Sequence, residues 1–106
     1  MIAVSGSGIA GLAAALAILR NQKPLLLVAG STPATTLHGG VQIAPNGWAA
    51  LDQLGLGDAA RARATKLQAI TVRDMQSTAT LASLDLSASP YASLSRAELA
   101  LSLIHI

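Results

Sequence analysis

The chain has 106 residues, a formal net charge of +2, one Trp, one Tyr and no cysteine. Hydrophobic residues make up 52% and charged residues 11%, which argues against a disordered tail, while the missing cysteine excludes a disulfide framework and a thiolate zinc site. At this length one small domain is the ceiling, and 22 alanines and 18 leucines favour close packing over a core built on aromatic anchors. Met1–Val4 is a short apolar stretch, followed by a glycine-rich turn and a strong helix former that runs to Arg20. Pro24 forbids continuation of that helix. Leu25–Val28 is a continuous apolar run, suited to a strand covered on both faces. The opening therefore predicts a βαβ unit with parallel strands and a right-handed crossover.

Residues 30–40 form a loop rich in Ser, Thr, Gly and Pro, and Val41-Gln42-Ile43 alternates like a brief strand. Pro45-Asn46-Gly47 introduces a helix over Trp48–Leu54, which Gly55 ends. Asp58–Lys66 predicts another short helix. Ala69–Met75 and Thr78–Leu86 are strand-like on either side of Gln76-Ser77, a β-hairpin pattern. Ser95-Arg96-Ala97-Glu98 opens a last helix as a capping box, in which Ser95 and Glu98 satisfy each other's free backbone amides. The fold expected is α/β: a Rossmann-like βαβ unit with a parallel sheet and an appended hairpin, together an incomplete domain.

Arg61, Arg63 and Lys66 are the one basic cluster, and their spacing does not line a single helical face. Without stacking aromatics they do not make a nucleic-acid surface. The longest apolar run, Ile9–Leu19, is 11 residues against the ~20 needed to cross a bilayer, so no transmembrane segment is expected. A cytoplasmic location is the simplest expectation. Chain order leaves an apolar terminus, Leu99–Ile106, with no glycine cap, which suggests truncation.

Gly6, Gly8 and Gly11 fall in G-x-G-x-x-G spacing at the first strand-to-helix junction. There the first glycine permits the tight turn, the second lets backbone approach a diphosphate, and the third lets helix pack on strand. The helix amino end, with the free amides of Ile9, Ala10 and Gly11, would receive the phosphate charge. A glycine turn in an ordinary α/β domain is the bland alternative. A dinucleotide site also expects an acid at the end of the second strand, on the ribose hydroxyls. Ala29 stands in that place, with Ser31 and Thr32 as weak substitutes. Loss of that charge-assisted hydrogen bond costs about 1.5–3 kcal/mol of cofactor binding.

Three segments together resemble the flavin-dependent aromatic-ring and ubiquinone-biosynthesis monooxygenases, the group A flavoprotein hydroxylases. They are Gly6–Ala17, Gly39–Leu56 and Leu94–Leu99. The second is the most discriminating, since a generic nicotinamide dehydrogenase has no reason to carry Gly39-Gly40-Val41 ahead of Pro45-Asn46-Gly47-Trp48. The match weakens after Leu101, so residues 102–106 are expected to fall outside it. The resemblance implies that the chain is the N-terminal part of an FAD-binding domain, with Gly6, Gly8 and Gly11 at the FAD pyrophosphate. It implies that the loop and strand from Gly39 to Ile43, with Gly39, Gly40 and Val41 as its binding residues, pass near the isoalloxazine ring and that Arg96 reaches the phosphate or ribitol. It further implies a full-length parent that hydroxylates a small aromatic or quinone-like substrate with NAD(P)H and O2, free in the cytoplasm or peripheral to a membrane.

No catalytic acid or base is nominated, because the cofactor carries that chemistry. His38 beside the glycine loop is expected to be an exposed loop histidine, and His105 carries no role. Trp48 is expected in the core. Two other readings stay open: another Rossmann-type flavoprotein or NAD(P)-dependent oxidoreductase, and a non-catalytic α/β domain that has lost its ligand.

Overall fold

Three apolar residues and a serine form β1 (Ile2–Ser5), which pairs in parallel with β2 (Leu25–Val28), with Ile2 opposite Leu25 and Ser5 opposite Val28. Between them runs α1 (Ile9–Arg20), built from alanine and leucine, the side chains that lose least on entering a helix. The computed structural model describes residues 1–30 and 38–104. Next come β3 (Gly40–Ile43), α2 (Pro45–Gln53), α3 (Gly57–Arg63) and β4 (Thr65–Lys66). The hairpin β5 (Ala69–Arg73) and β6 (Thr80–Asp85) follows, then β7 (Ala92–Ser95) and α4 (Arg96–Ile104).

The fold is mixed α/β, and its sheets differ from the sequence expectation. Among the described residues the parallel sheet is confined to β1 and β2. A three-stranded antiparallel sheet, ordered β3-β7-β4, stands beside it and was not foreseen. Its central strand, β7, lies in a stretch too short and serine-rich to stand out, and β4 takes Thr65 and Lys66 from the expected end of a helix that stops at Arg63. The hairpin forms with Ile70 opposite Leu84 and Thr71 opposite Ser83. Its turn is wider than expected: Asp74 accepts hydrogen bonds from the Gln76 amide and the Ser77 hydroxyl, ending β5 early.

The core lies among α1, α4, the antiparallel sheet and α2–α3. It gathers Leu12, Leu16, Ile43, Trp48, Leu94 and Leu99, with Ala60 and Ala100 fully buried where α3 and α4 approach each other. Alanine permits that approach because it has no side chain beyond Cβ. Trp48 is 4% exposed, a core residue as expected. β2 departs from expectation: Leu26 and Val28 are 50% and 53% exposed rather than covered on both faces. No described residue packs over the outer side of a two-stranded parallel pair.

One ion pair ties α2 to α3. Arg61 donates to both carboxylate oxygens of Asp52, at 2.7 and 2.8 Å, and its guanidinium lies 4.9 Å from the centre of the Trp48 ring. Those hydrogen bonds hold the Asp52 carboxyl below its usual value. A lowered folded-state value contributes stability that is present above about pH 4 and lost as the pH falls through the lowered value. Asp52→Asn is therefore expected to melt below the wild type at pH 7, with the gap closing below about pH 4 when both are followed by circular dichroism.

Candidate functional site

The turn from β1 into α1 is fixed by two glycines. Gly6 adopts φ +119°, a region that side chains disfavour, while its amide extends the parallel ladder by donating to Val28 O at 2.8 Å. Gly11 lies against this turn so closely that a Cβ there would overlap the Gly6 carbonyl oxygen, with the carbonyl carbon 2.8 Å away. The helix is thus tucked onto the strand by backbone touching backbone.

Gly8 differs. It sits at the amino cap of α1 with φ −73°, and a Cβ added there would meet nothing within 4 Å. Nothing inside the described protein requires glycine at this position. The amides of Ile9, Ala10 and Gly11 begin the helix without an intrahelical partner, no side chain caps them, and the first turn holds no acid.

A second helix start converges on the same place. β3 pairs with β7, setting Gly40 opposite Ser95 and Val41 opposite Leu94, and the Arg96 amide donates to Gly39 O at 3.0 Å. Gly8, Ile9, Val41 and Arg96 consequently line one cleft of about 260 Å3. Arg96 opens α4 and makes no ion pair among the described residues. A cation at a helix amino end opposes the helix dipole, so both walls of the cleft are electropositive.

The capping box at this helix is only half formed. Ser95 Oγ accepts from the Glu98 amide at 3.0 Å, but the Glu98 carboxylate lies 3.6 Å from Arg63 instead of returning to Ser95.

Of the residues singled out in the sequence, the structure brings Gly8, Ile9, Val41 and Arg96 to the cleft. Gly6 and Gly11 lie in the turn behind it, Ala10 is exposed on the first turn of α1, and Gly39 and Gly40 begin the strand that carries Val41. His38 is exposed, as expected of a loop histidine. Ser31, Thr32 and His105 lie outside the described residues. A neighbouring apolar cavity of about 360 Å3 shares Ile9 and Val41 and extends past Gln42, Asn46 and Leu99. Gln42 belongs to the Gly39–Ile43 stretch expected near the isoalloxazine ring, whereas Asn46, another polar member of the cavity, was not singled out in the sequence; its place just after that stretch was the available signal.

The chain is 38% identical to a 3-amino-4-hydroxybenzoate 2-monooxygenase of Streptomyces platensis, over 99% of its own length and 28% of that protein's. It is 36% identical to a 3-hydroxybenzoate 6-hydroxylase of Polaromonas naphthalenivorans, over 69% of this chain and 18% of the relative. The chain is homologous to the FAD-dependent aromatic monooxygenases. It spans about a quarter of their length.

Among solved structures, a 2-methyl-3-hydroxypyridine-5-carboxylic acid oxygenase superposes with TM-score 0.83 at 24% identity, covering 96% of this chain and 27% of that one. HpxO of Klebsiella pneumoniae, in a complex with FAD, gives TM-score 0.75 at 26% identity over the same shares. No protein-family model matches the sequence. The monooxygenase relationship therefore rests on individual relatives and on a shared fold.

The two glycines at the turn and cap are separable by experiment. Gly11→Ala is expected to destabilise the chain by about 2 kcal/mol or more, through backbone displacement that no rotamer relieves. Gly8→Ala is expected to stay within about 0.5 kcal/mol of wild type, both measured by urea denaturation.

Proposed function

We propose that the cleft between α1 and α4 holds the diphosphate of FAD, and that the chain supplies this part of the cofactor site of an aromatic-ring monooxygenase. The observation that carries the proposal is Gly8, a glycine with no internal reason to be one, at the floor of a cleft with two electropositive walls. A diphosphate fits these residues. The α1 amides and the Arg96 guanidinium offer donors, no carboxylate lines the cleft, and a side chain at Gly8 would occupy the approach.

In the Rossmann-like arrangement so proposed, Ile9, Ala10 and Gly11 donate backbone hydrogen bonds to phosphate oxygens, with Gly6 and Gly11 shaping the turn. Arg96 supplies a fixed fork of donors from the opposite wall. Gly39 and Gly40 carry bare backbone along the next stretch of cofactor, and Val41 follows them toward its ring. When bound, FAD supplies the redox chemistry through which NAD(P)H and O2 bring about hydroxylation. The cavity beside Val41 offers a largely apolar lining on that side. The substrate class is a small electron-rich ring, a hydroxylated aromatic acid or a quinone precursor, and turnover belongs to a polypeptide of the relatives' length. The 106 residues alone are expected to bind FAD weakly and to hydroxylate nothing.

The test is FAD titration of wild type, Gly8→Val and Arg96→Ala, followed by flavin fluorescence at high protein concentration. Arg96→Ala is expected to raise the dissociation constant by about one to two orders of magnitude, the worth of a charge-assisted hydrogen bond, with melting unchanged. Gly8→Val is expected to weaken binding likewise without loss of stability. Binding that ignores both substitutions contradicts the proposal, as does an absence of FAD binding even at millimolar protein.

A further inference from the structure

The sequence holds two asparagines, and the structure treats them in opposite ways. Asn21 closes α1: its Nδ2 donates to Ala17 O at 2.8 Å, and the amide that follows it, that of Gln22, donates to Leu19 O at 2.9 Å. Asn46 is exposed in the first turn of α2, and the amide that follows it, that of Gly47, donates to Asn46 Oδ1 at 3.0 Å. The Gly47 nitrogen and the Asn46 carboxamide thus already lie against each other. In the interior of a helix the same amide would be held by a carbonyl one turn back. Here the first intrahelical bond of α2 starts one residue later, from the Trp48 amide to Ala44 O at 3.0 Å, and no side chain caps the turn. Gly47 also has no Cβ to hinder its nitrogen. Packing favours glycine there, since an added Cβ would come to 3.0 Å from Ile43 Cγ2.

We propose that Asn46 is a site of spontaneous deamidation, a self-modification through the Gly47 nitrogen that replaces the carboxamide by a carboxylate and in part of the molecules lengthens the backbone of α2. The Gly47 nitrogen attacks Asn46 Cγ. The new N–C bond closes a cyclic imide as the Cγ–Nδ2 bond breaks, and ammonia leaves with the proton of the Gly47 amide. Water then opens the imide on either side of its nitrogen, with no change of oxidation state. Breaking the N–Cγ bond gives an ordinary aspartyl residue, whose charge suits the amino end of a helix. That charge is the first on any side chain lining the cavity beside Val41. Breaking the other bond leaves a β-linked residue with an extra carbon in the main chain. That carbon falls inside the hydrogen-bonded turn from Ala44 to Trp48, so the turn no longer closes as before and Trp48 loses its buried seat.

The experiment incubates the whole chain in mildly alkaline buffer beside a synthetic Pro-Asn-Gly-Trp peptide, and maps the mass gain of about 1 Da by peptide mass spectrometry. The gain is expected at Asn46 and not at Asn21, at a rate within about tenfold of the peptide's. Trp48 is the one tryptophan, so its emission is expected to move to longer wavelength as the β-linked form accumulates. Asn46→Gln is expected to lose both signals, and Asn46→Asp to carry the charge with the emission unmoved. A folded chain that keeps its Asn46 carboxamide while the peptide converts overturns the inference, as does equal conversion at Asn21. Accumulation of the β-linked form with unmoved emission overturns the consequence for α2.

Discussion

The contact between Gly11 and the Gly6 carbonyl governs the rest of the site. Because two backbones touch there, α1 starts directly at the end of β1, and its unpaired amides open outward instead of being covered by a loop. Everything the cleft offers to an anion follows from that placement. Gly6 supplies the positive φ, Gly11 the missing side chain, and Gly8 the open floor. Three glycines thus play three separate physical parts.

The second wall depends on pairing at a distance in sequence. Arg96 comes to Gly8 because β3 and β7 are antiparallel neighbours and because the Arg96 amide closes on Gly39 O. A single sheet register therefore positions the guanidinium and the Gly39–Val41 backbone together. The buried alanines of α3 and α4 hold the opposite side of α4 close to its neighbours, so the helix start that carries Arg96 is seated on the core.

The βαβ opening was legible because its signals are local: a glycine spacing, a proline stop and an apolar run of four. α2 was legible from Pro45 before Trp48, and the hairpin from two alternating runs around a turn. β7 was not, since Ala92-Ser93-Leu94-Ser95 is short and half serine, though Ala92 and Leu94 turn inward to 7% and 3% exposure in strict alternation. The exposed outer side of β2 was equally hidden, because an apolar run says that a strand seeks cover and not whether described neighbours supply it. For the site, the glycine motif and Arg96 were each visible, but their meeting in one cleft required the sheet register. The half-formed capping box was hidden as well, because the spacing of Ser95 and Glu98 does not announce that Arg63 lies 3.6 Å from the carboxylate.

The most direct measurement is a crystal structure of the chain soaked with ADP, locating the two phosphorus atoms. The account predicts them in the cleft, with phosphate oxygens within hydrogen-bond distance of the Ile9 and Ala10 amides and of the Arg96 guanidinium. Phosphates seated instead in a second cationic cavity, between Trp48, Arg61, Lys66 and Tyr91, would contradict it.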